Sequence, residues 1–170
     1  MAPTPLAKVR VMKKPSRRVA ERTAHPYTHS FVDQLLEGAD WTHLHGLIHD
    51  GVQRRALGAA ALQRFLAGAV DDAAMRLAVR AAIVSGRSWK RRVADRSPLS
   101  PLELERMTHV GEVVREARRV YGGDAAAAER FLVAKHRRLD RRAPILVAAD
   151  EGGSQAVREL LARLEEGAPA

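Results

Sequence analysis

Ser100-Pro101-Leu102-Glu103 writes the start of a helix into this chain. A serine at the cap, a proline in the first turn, where its missing N–H costs nothing, and a glutamate three residues after the serine form a reciprocal capping box. The residues beyond Glu103 keep the helical period. Met107, Val110, Val114, Ala117 and Tyr121 fall at alternating spacings of three and four, a seam suited to another helix or to a second copy of the chain. Gly122-Gly123 closes it. A long helix with such a stripe needs helical partners, and the composition supplies them. The chain is 46% apolar but only 4% aromatic, and β-branched residues rarely alternate, so alanine and leucine must do the packing. The expected class is all-α.

Periodicity elsewhere predicts a series of shorter helices. Residues 31–37 form a brief amphipathic piece stopped by Gly38. Asp40 caps a second helix with Trp41, Leu44, Leu47 and Ile48 on one face. A third spans 54–67, with Leu57, Ala61 and Phe65 inward and Gly68 at its end. Asp71 opens a fourth, with Met75, Ala78, Val79 and Ala82 inward. Beyond the Gly122-Gly123 stop, Asp124 caps a helix burying Ala128, Phe131 and Leu132. A basic loop over 135–142 leads through Pro144, and the last helix, 154–166, carries Val157, Leu160, Leu161 and Leu164 before Gly167.

Charge is spread unevenly within the total of +9. Residues 1–30 hold Lys8, Arg10, Lys13, Lys14, Arg17, Arg18 and Arg22 against Glu21 alone, with four prolines, and read as a disordered basic arm. A second basic block comes after the Ser85-Gly86 turn. There Trp89 and Val93 lie four apart and face inward, while Arg87, Lys90, Arg91 and Arg92 cover the remaining surface. Two helices joined by that turn make a helix-turn-helix whose second member is offered to DNA, with Arg87, Ser88, Lys90, Arg91 and Arg92 as contacts. Beyond 145 the sign reverses, with Asp150, Glu151, Glu159, Glu165 and Glu166 against Arg158 and Arg163. A basic front and an acidic tail point to two different partners.

The order of elements from about Ala78 onward resembles the Xre-type antitoxins of RES-Xre type II toxin–antitoxin systems, which end in the Xre/MbcA/ParS toxin-binding domain. The residues that carry the likeness are Val84-Ser85-Gly86-Arg87-Ser88, Lys90-Arg91-Arg92 and Leu99-Ser100-Pro101-Leu102-Glu103. Val120-Tyr121-Gly122, Arg130-Phe131-Leu132, Ala143-Pro144-Ile145-Leu146, Glu151-Gly152 and Arg163-Leu164-Glu165-Glu166-Gly167 continue it. Two positions depart: Asp140-Arg141-Arg142 stands where the family has Gly-Gly, and Ile83 where it has Gly.

The expected organisation is the disordered basic arm at 1–30, read from its charge and prolines, an Xre-like helix-turn-helix domain at 31–107, of which the resemblance reaches only the part from about Ala78, and a small helical toxin-binding domain at 108–170. The resemblance implies an antitoxin that blocks the active site of a NAD-degrading RES-domain toxin and represses its own operator. That role needs no catalysis and no cofactor. Arg158, Leu161, Arg163, Glu165, Glu166 and Gly167 are the expected toxin contacts, and a homodimer sets two recognition helices ~34 Å apart on the operator.

Competing readings are a DNA-binding regulator without a toxin and a small helical metalloenzyme. The second rests on His43, His45 and His49, of which His45 and His49 share a helical face. With His43 on another side and no cysteine, surface histidines are the better reading and no metal is expected. The absence of a spanning apolar run and of a secretory signal makes the expected location cytoplasmic, with no membrane partner.

Overall fold

The computed structural model describes residues 57–167, together with Gly46. Among the described residues lie seven α-helices, one 3-10 turn and no strand. They are α1 Ala59–Ala69, α2 Ala73–Ile83, α3 Gly86–Asp95, α4 Pro101–Val120, α5 Ala125–Val133, the 3-10 turn Arg137–Leu139, α6 Pro144–Val147 and α7 Gly153–Glu165. The all-α class holds. The basic arm, the helix at 31–37 and the histidine run lie outside the described residues. Of the stretch after Asp40 only Gly46 is described, and it is helical.

Side-chain caps start four of these helices. Asp72 Oδ1 accepts from the Met75 amide at 2.6 Å and Ser85 Oγ from the Ser88 amide at 3.3 Å. Asp124 Oδ1 accepts from the Ala127 amide at 2.9 Å. The capping box of α4 is complete: Ser100 Oγ accepts from the Glu103 amide at 3.3 Å while Glu103 Oε2 accepts from the Ser100 amide at 2.6 Å. Each cap satisfies a backbone donor that the helix cannot, worth ~1 kcal/mol.

Helix α7 lies one residue earlier than the expected 154–166, and boundaries of α1 and α2 also differ from expectation. Helix α2 is capped by Asp72 rather than Asp71. Helix α1 begins at Ala59, because Leu57 is held in a turn by the Leu99 amide, which donates to its carbonyl at 2.8 Å. The same helix runs through Gly68 to Ala69, and the Gly68 carbonyl accepts from Arg118 Nη2 at 2.6 Å.

Helix α4 is the axis on which the others are hung. It packs against α1, α2, α5, α6 and α7. Leu104, Met107, Val110, Val113, Val114 and Ala117 are all buried, so the 107–121 seam is filled from within the chain rather than left for a second copy. The helix runs unbroken through 107–108, where one domain was expected to give way to the next, and a single apolar core extends from Leu57 to Leu161. Short α6 sits deep in that core. Gly153 opens α7 hard against it: a Cβ there would collide with the Val147 carbonyl oxygen and lie 2.8 Å from its carbonyl carbon. Only glycine allows α7 to pack that closely.

Candidate functional site

Helix α3 brings Arg87, Lys90 and Arg91 to one face, all three exposed, at the i, i+3, i+4 spacing that makes neighbours on a helix. Ser88 is half-buried beside them, its amide engaged by the Ser85 cap. Trp89 packs inward, and the Arg80 guanidinium from α2 lies 5.0 Å from its ring centroid. Val93, expected inward, is 53% exposed. The reason is Arg92. The buried direction of α3 runs between Trp89 and Arg92, which leaves Val93 at the edge.

Arg92 stands apart from the other basic residues of α3. Its side chain is 13% exposed and turns away from solvent, with Nε 3.1 Å and Nη2 2.8 Å from Glu103 Oε2. Nη1 reaches Ser97 Oγ at 3.4 Å. The Glu103 side chain, 10% exposed, thus ties α3 to the first turn of α4 while closing the capping box with the same oxygen. Arg92 is occupied as a strut, so the cationic face of α3 consists of Arg87, Lys90 and Arg91.

The second surface is the outer side of α7. Val157, Leu160 and Leu161 are buried and Leu164 half-buried, while Arg158, Glu159, Arg163, Glu165 and Glu166 point to solvent. Leu161, expected to touch a partner, is fully enclosed in the core and has no surface to offer one. Arg158 lies 3.7 Å from Glu112 on α4. Glu165 is held in a fork by Arg119, with contacts of 2.7 and 2.6 Å, and Arg119 also binds Glu116 at 2.9 Å. The hydrogen bond from Arg119 lowers the pKa of both carboxylates, and the two carboxylates raise that of Arg119. Among the described residues no ion pair engages Glu166 or Arg163, both exposed on this edge, and Gly167, at φ 75°, ends the helix. Arg163 also faces Arg138, Leu139, Ala156, Glu159 and Leu160 across a shallow depression.

Several supporting residues escaped sequence reasoning. Glu129 Oε1 on α5 accepts from the Asp71 amide at 2.7 Å and the Asp72 amide at 3.3 Å, tying α5 to the start of α2. Burial lowers the pKa of Arg118, the donor to Gly68. The Glu116–Arg119 pair was visible as an i, i+3 couple, but its link to Glu165, 46 residues on, was not. Asp140 and Arg141, at the positions where the resembled family has Gly-Gly, adopt left-handed φ of 52° and 58°.

The C-terminal helices turn their apolar stripes inward and leave a charged outer edge along α7, and no group of three metal-ligating residues lies among the described residues. Residues 116–167, from the last turn of α4 to the end of α7, match the family model described as the antitoxin Xre/MbcA/ParS C-terminal toxin-binding domain. This match supports an antitoxin role of the Xre/MbcA/ParS type, with a toxin as partner. No curated protein and no solved structure matches the chain. Among the described residues no helix is long and apolar enough to cross a membrane.

Proposed function

We propose that this protein is the antitoxin of a pair whose toxin carries a RES domain and degrades NAD, and that its C-terminal domain covers the entrance to the toxin's active site. The observation that carries this is the match over 116–167, coincident with a packed unit whose outer α7 edge presents Arg163, Glu166 and Gly167. The RES class of the toxin rests on the sequence resemblance. The exposed Glu166 carboxylate suits a cleft shaped for an anionic dinucleotide, since such a cleft is cationic and attracts carboxylates. Glu166 is free for this, and Glu165 reaches it only by leaving Arg119 or by bringing that pair along.

The chain also acts as a cytoplasmic autorepressor. Arg87, Lys90 and Arg91 of α3, with Ser88 beside them, contact operator DNA, and a homodimer presents two such helices to an inverted repeat. The exposure and common face of the three cations support this. A regulator with no toxin partner uses α3 equally well but leaves the toxin-binding domain without a purpose.

The test is growth and NAD content of cells expressing the neighbouring-gene toxin with the full chain or with Arg163→Glu/Glu166→Arg. Full chain preserves NAD and the double variant does not, although it folds. Equal protection by both refutes the proposed contact edge, and NAD loss with both refutes the antitoxin reading for that toxin.

A further inference from the structure

Between α5 and α6 the chain exposes Lys135, Arg137, Arg138 and Arg141 within seven residues, and no side-chain hydrogen bond or ion pair occupies any of them among the described residues. Their neighbour Arg142 is paired with Asp150 on the far side of α6. Asp140 lies within the loop, and Glu159 of α7 lines a depression together with Arg138 and Arg163. The local balance is strongly positive.

This loop is built rather than slack. The His136 amide donates to the Arg142 carbonyl at 3.1 Å and the Arg141 amide to the His136 carbonyl at 2.9 Å, closing it on itself. Leu139 is buried as an anchor, and the His136 ring stacks obliquely on Phe131 with centroids 4.9 Å apart. Asp140 and Arg141 both lie in the left-handed region, which side chains other than glycine avoid. Arg141 therefore holds a left-handed backbone while no hydrogen bond or ion pair engages its side chain among the described residues. The return on that arrangement has to come from outside it.

We propose that the 135–142 loop is a second nucleic-acid contact, on the toxin-binding domain itself, in which Lys135, Arg137, Arg138 and Arg141 take backbone phosphates of duplex DNA. An acidic protein is the other polyanion to weigh, and the loop is poorly made for one. Protein interfaces centre on buried aromatic or apolar anchors, and the one large apolar side chain of this loop, Leu139, is already spent on the core. DNA interfaces are polar and strongly cationic, and guanidinium groups suit phosphates in paired hydrogen bonds. The contact reads no bases, so it adds affinity without sequence preference. It stands independently of the α3 reading.

The test is binding of the full chain to a 20-base-pair duplex carrying no operator, followed by fluorescence anisotropy from 50 to 200 mM salt. Each lost phosphate contact flattens the slope of log K against log salt by about 0.9. Arg137→Gln/Arg138→Gln/Arg141→Gly therefore flattens it by about 2.7, so that wild type loses roughly 40-fold more affinity than the variant across this range. Arg141→Gly alone flattens the slope by about 0.9 while melting at or above the wild-type temperature, because glycine relieves the left-handed strain. That pairing separates lost contact from lost folding. An unchanged slope in the triple variant overturns the proposal, as does weakened toxin binding with the DNA slope intact. A parallel variant, Arg87→Gln/Lys90→Gln/Arg91→Gln, tests α3 on its own: if it leaves binding untouched while the loop variant weakens it, the loop contact stands and the α3 assignment falls.

Discussion

Removing the Glu103 carboxylate strikes two supports at once. In Glu103→Ala the Ser100 amide loses its acceptor at 2.6 Å, half of the capping box of α4, at a cost of ~1 kcal/mol. Arg92, only 13% exposed, loses both of its contacts to Oε2 and keeps a single long one to Ser97. A charged donor left in that state costs ~2 kcal/mol, below the figure for a fully enclosed ion because the residual exposure admits some water. Together the loss is about 3 kcal/mol, or a fall of ~9 °C in melting temperature for a chain of this size. Urea unfolding followed by circular dichroism measures it. A double-mutant cycle with Arg92→Met is sharper, since once the guanidinium is gone its desolvation no longer counts against the Glu103 variant. The double variant is then more stable than the sum of the single losses predicts, by ~1.5 kcal/mol. Additive losses, or a Glu103→Ala cost under ~0.5 kcal/mol, refute the view that this pair joins α3 to α4.

Other consequences rest on single residues. Gly153→Ala drives a methyl into the Val147 carbonyl and costs about 3 kcal/mol by denaturant unfolding, and a near-neutral variant shows that α6 and α7 are less closely packed. Leu161→Ala leaves a cavity in the core at a cost of about 3 kcal/mol, and a toxin-binding defect in a variant of undiminished stability contradicts its placement there. Arg119 holds Glu165 and Glu116 below the ordinary value of 4.5, so the stabilisation it confers is complete above that pH and is lost as pH falls through their lowered values. Wild type and Arg119→Gln therefore converge in urea midpoint as pH falls below 4.5, and a gap that stays constant down to the acid unfolding of either protein excludes the network.

The helices were legible because their signals are local. Ser100 and Glu103 announce α4, Asp124 announces α5, and the apolar residues expected inward on α5 and α7 line the core with only Leu164 partly open. What sequence could not supply was the competition among neighbours for one buried direction. Arg92 and Val93 sit side by side on α3, and hydropathy favours Val93. The arginine goes in because a carboxylate on the next helix waits at 2.8 Å, and that pairing is decided 11 residues downstream. Leu161 failed as a contact for the opposite reason: a leucine on an amphipathic stripe serves the core first, and the exposed edge beside it does the recognising. Gly153 carried no signal in the sequence, whereas its use is to let two helices touch. On the 135–142 loop the sequence showed the charge but not the closed backbone that displays it.

The central claim is that the domain ending at α7 silences a toxin by occupying its catalytic mouth, and titration of purified toxin tests it most directly. The rate of NAD hydrolysis is followed as the full chain is added, alone and as Arg163→Glu/Glu166→Arg. The account predicts activity falling linearly to zero at a fixed ratio of chains, with the double variant displaced to far higher concentrations while its melting curve stays unchanged. Hydrolysis that continues undiminished in a toxin saturated with bound chain contradicts it.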